Sequence, residues 1–203
     1  MTAVIVFVLL LASTAMGQTA SPRVFLLLGP PGSGKTTQAK VLKQRFGLPA
    51  ISASDVLKKS AGGKTPLAKR LKVQLASGTL VDDDTLNQLF EQRLANPDAA
   101  NGFILDGYPA SARQADFFVA LLKKNGLPDP VVVHLEVPDP VARERMRDRR
   151  RADDQPAIIE RRVADYRREE DTVLSRFGGQ RVLRVDGTKP EREVTRELLR
   201  LLQ

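Results

Sequence analysis

From residue 23 onward, short apolar and β-branched runs alternate with longer stretches whose apolar residues recur at helical spacing. Residues 24–28, 50–52, 103–106, 131–137 and 181–185 read as strands, and 35–46, 65–76, 83–95, 112–125, 140–150, 156–177 and 191–201 as helices. Strands that are apolar throughout and separated by helices predict a five-stranded parallel sheet flanked by helices on both faces, an α/β fold in three layers. Two helical stretches between the second and third strands exceed what one crossover needs, and predict a small helical insert over 53–80. No repeat or low-complexity tract interrupts the pattern.

The first twenty residues follow another rule. "AVIVFVLLLA" (3–12) is uninterrupted apolar sequence, and "STAMGQTAS" (13–21) is small and polar. This is the layout of a secretory h-region and cleavage region, with Ala15-Met16-Gly17 as a small-x-small site. The run is too short to predict a membrane span, and no Lys or Arg precedes it. A start codon assigned upstream of the true one, or a disordered leader, accounts for the same residues.

At 203 residues, with 42% hydrophobic and 28% charged positions, the chain has the make-up of one soluble globular domain with a real core. The lack of cysteine excludes disulfides, thiolate chemistry and cysteine-ligated zinc. The one histidine, His134, stands inside "VVVHLEV" and reads as a strand residue, not a catalyst. A net charge of +8 favours acidic partners such as nucleotides, nucleic acid or anionic lipid, and equally describes arginines solvated on helix surfaces. With no Trp and 5% aromatics, no stacking platform for nucleic acid is visible.

The first strand runs directly into "GPPGSGKTTQ" (29–38). Gly29-x4-Gly34-Lys35-Thr36 satisfies G-x-x-x-x-G-K-[ST] in the strand–loop–helix setting that the motif requires. Gly29, Gly32 and Gly34 let backbone N–H groups around Ser33 converge on phosphate oxygens, and the helix from Lys35 aims its N-terminus at the same anion. Lys35 brings a mobile positive charge to the β- and γ-phosphates, and a threonine hydroxyl, that of Thr36 with Thr37 beside it, is suited to Mg²⁺. The expected ligand is a nucleoside triphosphate.

"GFILDGYPASARQA" (102–115) puts Asp106 at the C-terminal end of a buried strand, where open α/β sheets place their ligand crevice. A carboxylate there can hold Mg²⁺ through water; a helix-capping aspartate is the alternative. Together with the loop, these residues resemble the adenylate kinase family of nucleoside monophosphate kinases. The resemblance runs in one order from about residue 24 to the C-terminus. "GPPGSGKTTQ" is similar to G-x-P-G-S-G-K-G-T-Q, with Thr36 at the family glycine. "ISASDVLK" (51–58) resembles L-S-T-G-D-L-L-R, "SGTLVDDDTL" (77–86) resembles G-x-L-V-P-D-E-x, and "GYPASARQA" (107–115) resembles G-F-P-R-T-x-x-Q-A. "VDGTKP" (185–190) is similar to the family's last strand and adenine-contacting turn, which includes Lys189.

The resemblance implies a monomeric enzyme of the P-loop fold that moves the γ-phosphoryl of ATP to a nucleoside monophosphate with Mg²⁺. It implies an acceptor site built from Ser52, Ala53, Lys58, Thr79, Leu80, Val81, Gly107, Tyr108 and Gln114, with 53–80 as the NMP-binding insert. The arginines are open to an independent reading. On a helical projection of 138–151, Arg145 and Arg149 fall on the apolar arc between Val141 and Met146, while Arg143, Arg147 and Arg150 fall on a roughly opposite, solvated stripe. An arginine beside an apolar face wants an anion, and the family carries ATP-binding arginines at the places of Arg145 and Arg149. Arg151 and Arg162 match arginines that bridge donor and acceptor phosphates. Little remains between Arg149 and Asp153 to form a lid, so 150–157 is expected to be a very short one.

The departures gather on the acceptor side. The family's Thr is Ala53, as in UMP/CMP kinases, whereas Gln114 matches the glutamine that reads adenine in adenylate kinases. Both acceptor-phosphate arginines are changed, to Lys58 and Ala110. Lysine keeps charge without the bidentate fork, and alanine keeps neither. Arg113, one turn beyond Ala110, either reaches back to that phosphate or is an ordinary surface arginine. The reading is transfer from ATP to AMP by positioning and charge neutralisation through Lys35, Arg145, Arg149, Arg151 and Arg162. The alternatives are a UMP/CMP kinase, a kinase of another small phosphate acceptor, or a degenerate ATP-binding module. ATP chemistry favours the cytoplasm, and residues 1–20 favour export or a membrane tether.

Overall fold

Five strands, β1 (Arg23–Leu28), β2 (Ala50–Ser52), β3 (Gly102–Asp106), β4 (Val131–Glu136) and β5 (Val182–Asp186), pair side by side in the order β2-β3-β1-β4-β5. All four pairings are parallel. The computed structural model describes residues 21–77, 79, 81–151, 154–178 and 182–203, so the leader and Leu80 lie outside the described residues. β1 and β3 are buried almost end to end, which is why they carry no polar alternation. β5, at the sheet edge, does alternate.

The helices are α1 (Lys35–Phe46), α2 (Ala53–Ala61), α3 (Pro66–Ser77), α4 (Asp83–Leu94), α5 (Ala112–Lys124), α6 (Asp139–Asp148), α7 (Pro156–Ser175) and α8 (Glu191–Leu201). Successive β1 residues face opposite sides, so Phe25 and Leu27 join Ala39 and Leu42 of α1 and Val194 and Leu198 of α8. Val24, Leu26 and Leu28 join Phe90 of α4, Phe118 of α5, and Val173 together with Phe177 just beyond α7. These are the three expected layers. On the second face the Tyr108 ring stacks on Phe90 with centroids 3.8 Å apart. Burying a large apolar side chain of this kind contributes about 1.5–3 kcal/mol.

The chain winds to opposite sides of β1, so the switch point of the sheet lies at its C-terminal end. Register brings the site residues to that edge: Asp106 is level with Leu27 of β1 and Ser52 of β2. His134 pairs with Leu28 and is buried, as a strand residue should be. Its Nε2 lies 3.0 Å from Glu170 Oε1 and 3.1 Å from the Tyr166 hydroxyl of α7.

Two expectations change. The stretch 53–61 is a helix, α2, that the spacing of apolar residues did not show. It is nine residues long and started by Ser52, whose Oγ accepts the Asp55 N–H at 3.1 Å. The Arg143 stripe is not uniformly solvated: Arg143 is half-buried, and donates through Nε to Glu160 of α7 at 2.7 Å. Packing of α6 on α7 around Met146, Ile159 and Val163 puts that stripe beside α7.

Candidate active site

The loop after β1 has the backbone its sequence demands. Gly34 precedes α1 with φ 96°, in the left-handed region, and offers no side-chain cap. A Cβ there would meet nothing within 4 Å, so glycine is required for conformation alone. Gly34 thus gives the first-turn amides of α1 no side-chain cap, although its carbonyl accepts the Thr37 N–H at 3.0 Å, and an uncapped helix N-terminus is suited to an anion. At Gly32 the requirement is space, since a Cβ would come within 2.6 Å of the Ala142 carbonyl of α6.

Lys35 curls back over this loop. Its Nζ donates to the Gly29 carbonyl at 2.7 Å and the Pro30 carbonyl at 2.9 Å, and lies 3.4 Å from Ser33 Oγ. Burial pulls its pKa down to about 8; Asp106 opposes that shift and the Arg149 charge adds to it. The amine is still mostly cationic near neutrality. Thr36 Oγ1 donates to Asp106 Oδ2 at 2.6 Å, across 70 residues of sequence. Asp106 is 7% exposed. A buried carboxylate paired with one hydroxyl is an oxygen donor set of the kind that hard divalent cations take. Among the described residues no three His, Asp or Glu gather as a metal cage.

The arginines divide. Arg145 donates to the Gly187 carbonyl at 2.7 Å and lies 3.3 Å from the Thr188 carbonyl, so α6 reaches the turn that carries Lys189. Lys189 Nζ is itself held by Glu197 of α8 at 2.8 Å. Arg149 makes a bidentate pair with Asp154, at 2.7 and 2.8 Å. Arg162 stands 3.8 Å from the same carboxylate, which is 2% exposed. Arg151 is exposed, and its backbone N–H donates to Asp154 at 3.2 Å. Asp154 is the residue that sequence reading missed; an acidic pair inside "RRRADDQ" was the available signal. Of the expected lid, 150–157, residues 156 and 157 are the start of α7, the rest belongs to the connection between α6 and α7, and 152 and 153 lie outside the described residues.

On the acceptor side, polar groups are spent on one another. Ser52 caps α2. Ala53 lies against Gly107, its Cβ 3.6 Å from where a Cβ on that glycine would be. Lys58 is exposed, and lines a cleft of about 430 Å³ with Lys64, Lys69 and Lys72. Thr79 is exposed and donates its N–H to the Gln74 carbonyl at 2.9 Å, while Val81 is buried. The Tyr108 side chain, expected at the acceptor, is in the core with its hydroxyl donating to Asn87 of α4 at 2.7 Å. Burial, together with the Asp83 charge, holds that phenol above its ordinary pKa. Gln114 is 3% exposed. Arg113 pairs with Asp84 at 2.6 Å on the surface, so a reach toward Ala110 competes with that carboxylate.

Comparison with known proteins identifies the family. The family model described as adenylate kinase matches residues 27–182. A Brucella anthropi protein named Adenylate kinase is 37% identical over 188 residues, covering 87% of this chain and 97% of that protein. The proteins of the same name from Brucella ovis and Brucella canis match to the same extent. The chain belongs to the adenylate kinase family and is a phosphotransferase.

Proposed function

We propose that the chain transfers the γ-phosphoryl of ATP reversibly to AMP, giving two ADP. The name of its relatives supports this, but the observation that carries it is the mouth of the phosphate loop. There Lys35 rests on loop carbonyls at 2.7 and 2.9 Å and Thr36 holds the buried Asp106 carboxylate at 2.6 Å, so consecutive residues at the start of α1 carry a cation and the hydroxyl partner of a carboxylate. Phosphoryl transfer needs little else than in-line positioning and neutralisation of charge on the moving group. Lys35 and the arginines Arg145, Arg149, Arg151 and Arg162 take that role, with no covalent intermediate. Asp154 keeps Arg149 and Arg162 close to one another. Mg²⁺, when bound, supplies further neutralisation of the phosphates, and Thr36 and Asp106 are the residues that would hold it.

Gly29, Gly32, Ser33, Gly34 and Thr37 cradle the donor phosphates, and Lys189 lies in the adenine turn. On the acceptor side, 53–80 is the binding insert and Gln114 reads the base. Ala53 and Ala110 favour a second reading, since neither gives the acceptor a polar contact: CMP, UMP or another phosphate acceptor. No helix among the described residues is long and apolar enough to cross a membrane. The cytoplasm suits the ATP requirement, and residues 1–20 remain the reason to test export.

The experiment is ATP with AMP, CMP, UMP and GMP in turn, reading diphosphate formation with and without Mg²⁺. AMP is expected to give the highest kcat/KM. Another monophosphate ahead of AMP would replace the acceptor, and no product with any of them would leave a nucleotide-binding module.

A further inference from the structure

We infer that Asp83 is a positioning residue that sets base selectivity by locking the orientation of the Gln114 side-chain amide. This rests on the reading of Gln114 as the contact to the acceptor base. A free glutamine amide turns over easily and offers a donor or an acceptor at either place. Here both ends are specified. Gln114 Oε1 accepts the Ala110 backbone N–H at 2.7 Å, and Nε2 donates to Asp83 Oδ1 at 2.6 Å. Inversion would set donor against donor at Ala110 and acceptor against acceptor at Asp83. Asp83 has no freedom to adjust, because its Oδ2 accepts the Ser111 hydroxyl at 2.8 Å. Ser111 Oγ accepts in turn from the Gln114 backbone N–H at 3.2 Å, at the start of α5. At 3% exposure the amide has little water to repair a mismatch.

After these bonds the amide keeps one N–H hydrogen and one carbonyl lone pair, in a fixed order. The donor is at the Asp83 end and the acceptor at the Ala110 end. A base held through its ribose and phosphate meets that order from one direction. One edge type then fits and its inverse does not. With AMP as acceptor, the fitting edge is an amino group beside an unprotonated ring nitrogen. The rejected edge is a carbonyl beside a ring N–H. Adenine and hypoxanthine share size and shape and differ at this edge, so AMP and IMP isolate the effect.

The test measures kcat, KM and equilibrium binding for AMP and IMP with the full-length protein and with Asp83→Asn, whose side chain can donate or accept. Asp83→Ser, also able to do both, serves if the first variant unfolds, and thermal unfolding checks each. The AMP-to-IMP ratio of kcat/KM is expected to fall at least about tenfold, the size set by a hydrogen bond to a charged group. The change should lie mainly in the acceptor KM. Ser111→Ala frees Oδ2 but leaves Oδ1 as the acceptor for Gln114, so it is expected to lower Tm and to reduce the ratio by less than Asp83→Asn does. An unchanged ratio in a folded Asp83 variant, or equal losses for both nucleotides, overturns the lock. A native preference for IMP that the variant loses would keep the lock and remove AMP as the acceptor. Binding of neither nucleotide would overturn both readings.

Discussion

The donor and acceptor halves of the site are made from similar residue types but stand in different states. On the donor side, the residues proposed to cradle the phosphates lie together at 29–37, and among the described residues Lys35 is bound only to uncharged oxygens of its own loop. A stronger anion can displace those contacts. On the acceptor side, Asp83 holds Gln114 and Ser111, Asp84 holds Arg113, and Asn87 holds Tyr108. The first two turns of α4 have taken up the polar groups of 108–114. The presence of a cation therefore does not by itself imply readiness for phosphate: Lys35 rests on carbonyls, whereas Arg113, like Arg149 and Lys189 on the donor side, is tied to a carboxylate. A cation tied to a carboxylate must lose that pair before it gains another, whereas one resting on carbonyls loses less.

The largest expected effect breaks the donor half. Lys35→Ala removes a charge acting on the transferring group, worth about 3–4 kcal/mol, so turnover should fall between about a hundredfold and a thousandfold. Circular dichroism should show the fold intact. Near-native turnover in that variant would falsify the proposed roles on the donor side.

A smaller effect should repair the acceptor half. Ala110 is exposed, so Ala110→Arg can enter without repacking and add a charge-assisted contact of about 1.5–3 kcal/mol. The KM for AMP is expected to drop by tenfold or more, with kcat rising only if the contact tightens in the transition state. Because Asp84 already holds Arg113, Arg113→Ala should change the same KM by less than about twofold, on the scale of an exposed ion pair. A large loss with Arg113→Ala would show that Arg113 does turn to the phosphate.

The donor half also contains the buried imidazole beneath it. Burial lowers the His134 pKa, against the pull of Glu170 and Glu136 and with Arg184 adding to the lowering. The folded state thus takes up its proton at lower pH than the unfolded chain does. Stability from this group is complete above the ordinary imidazole value of about 6.5 and is lost as pH falls below it. Thermal unfolding from pH 7 to 5 should show a shallower decline for His134→Gln than for the native chain. Parallel declines would mean that His134 stays out of the titration.

The smallest effect is expected from removing residues 1–20, which lie before β1. Tm and turnover should not change, and a truncated protein that is unfolded or inactive would make the leader structural. N-terminal sequencing from the native host would show separately whether the leader is cleaved.

Local sequence patterns account for most of the architecture. Apolar runs place β1 to β5 within a residue or so at their ends, and the loop from Gly29 to Thr36 carries its own conformation in its glycines. Such features depend on neighbours in the chain, so spacing alone reveals them. α2 escaped because it is short, and a serine cap with one buried residue, Val56, is a weak periodic signal. The partnerships of the site lie beyond any local rule. Asp83 meets Gln114 across 31 residues only because α4 packs beside α5, and Thr36 meets Asp106 across 70 because β1 and β3 are neighbours in the sheet. The sequence determined a strand, a glycine loop and a helix that carry a phosphate-binding pattern at 29–36. The tertiary structure decided which side chains remain available to the second substrate, because a hydrogen bond forms between groups that packing brings within reach, whatever their distance along the chain.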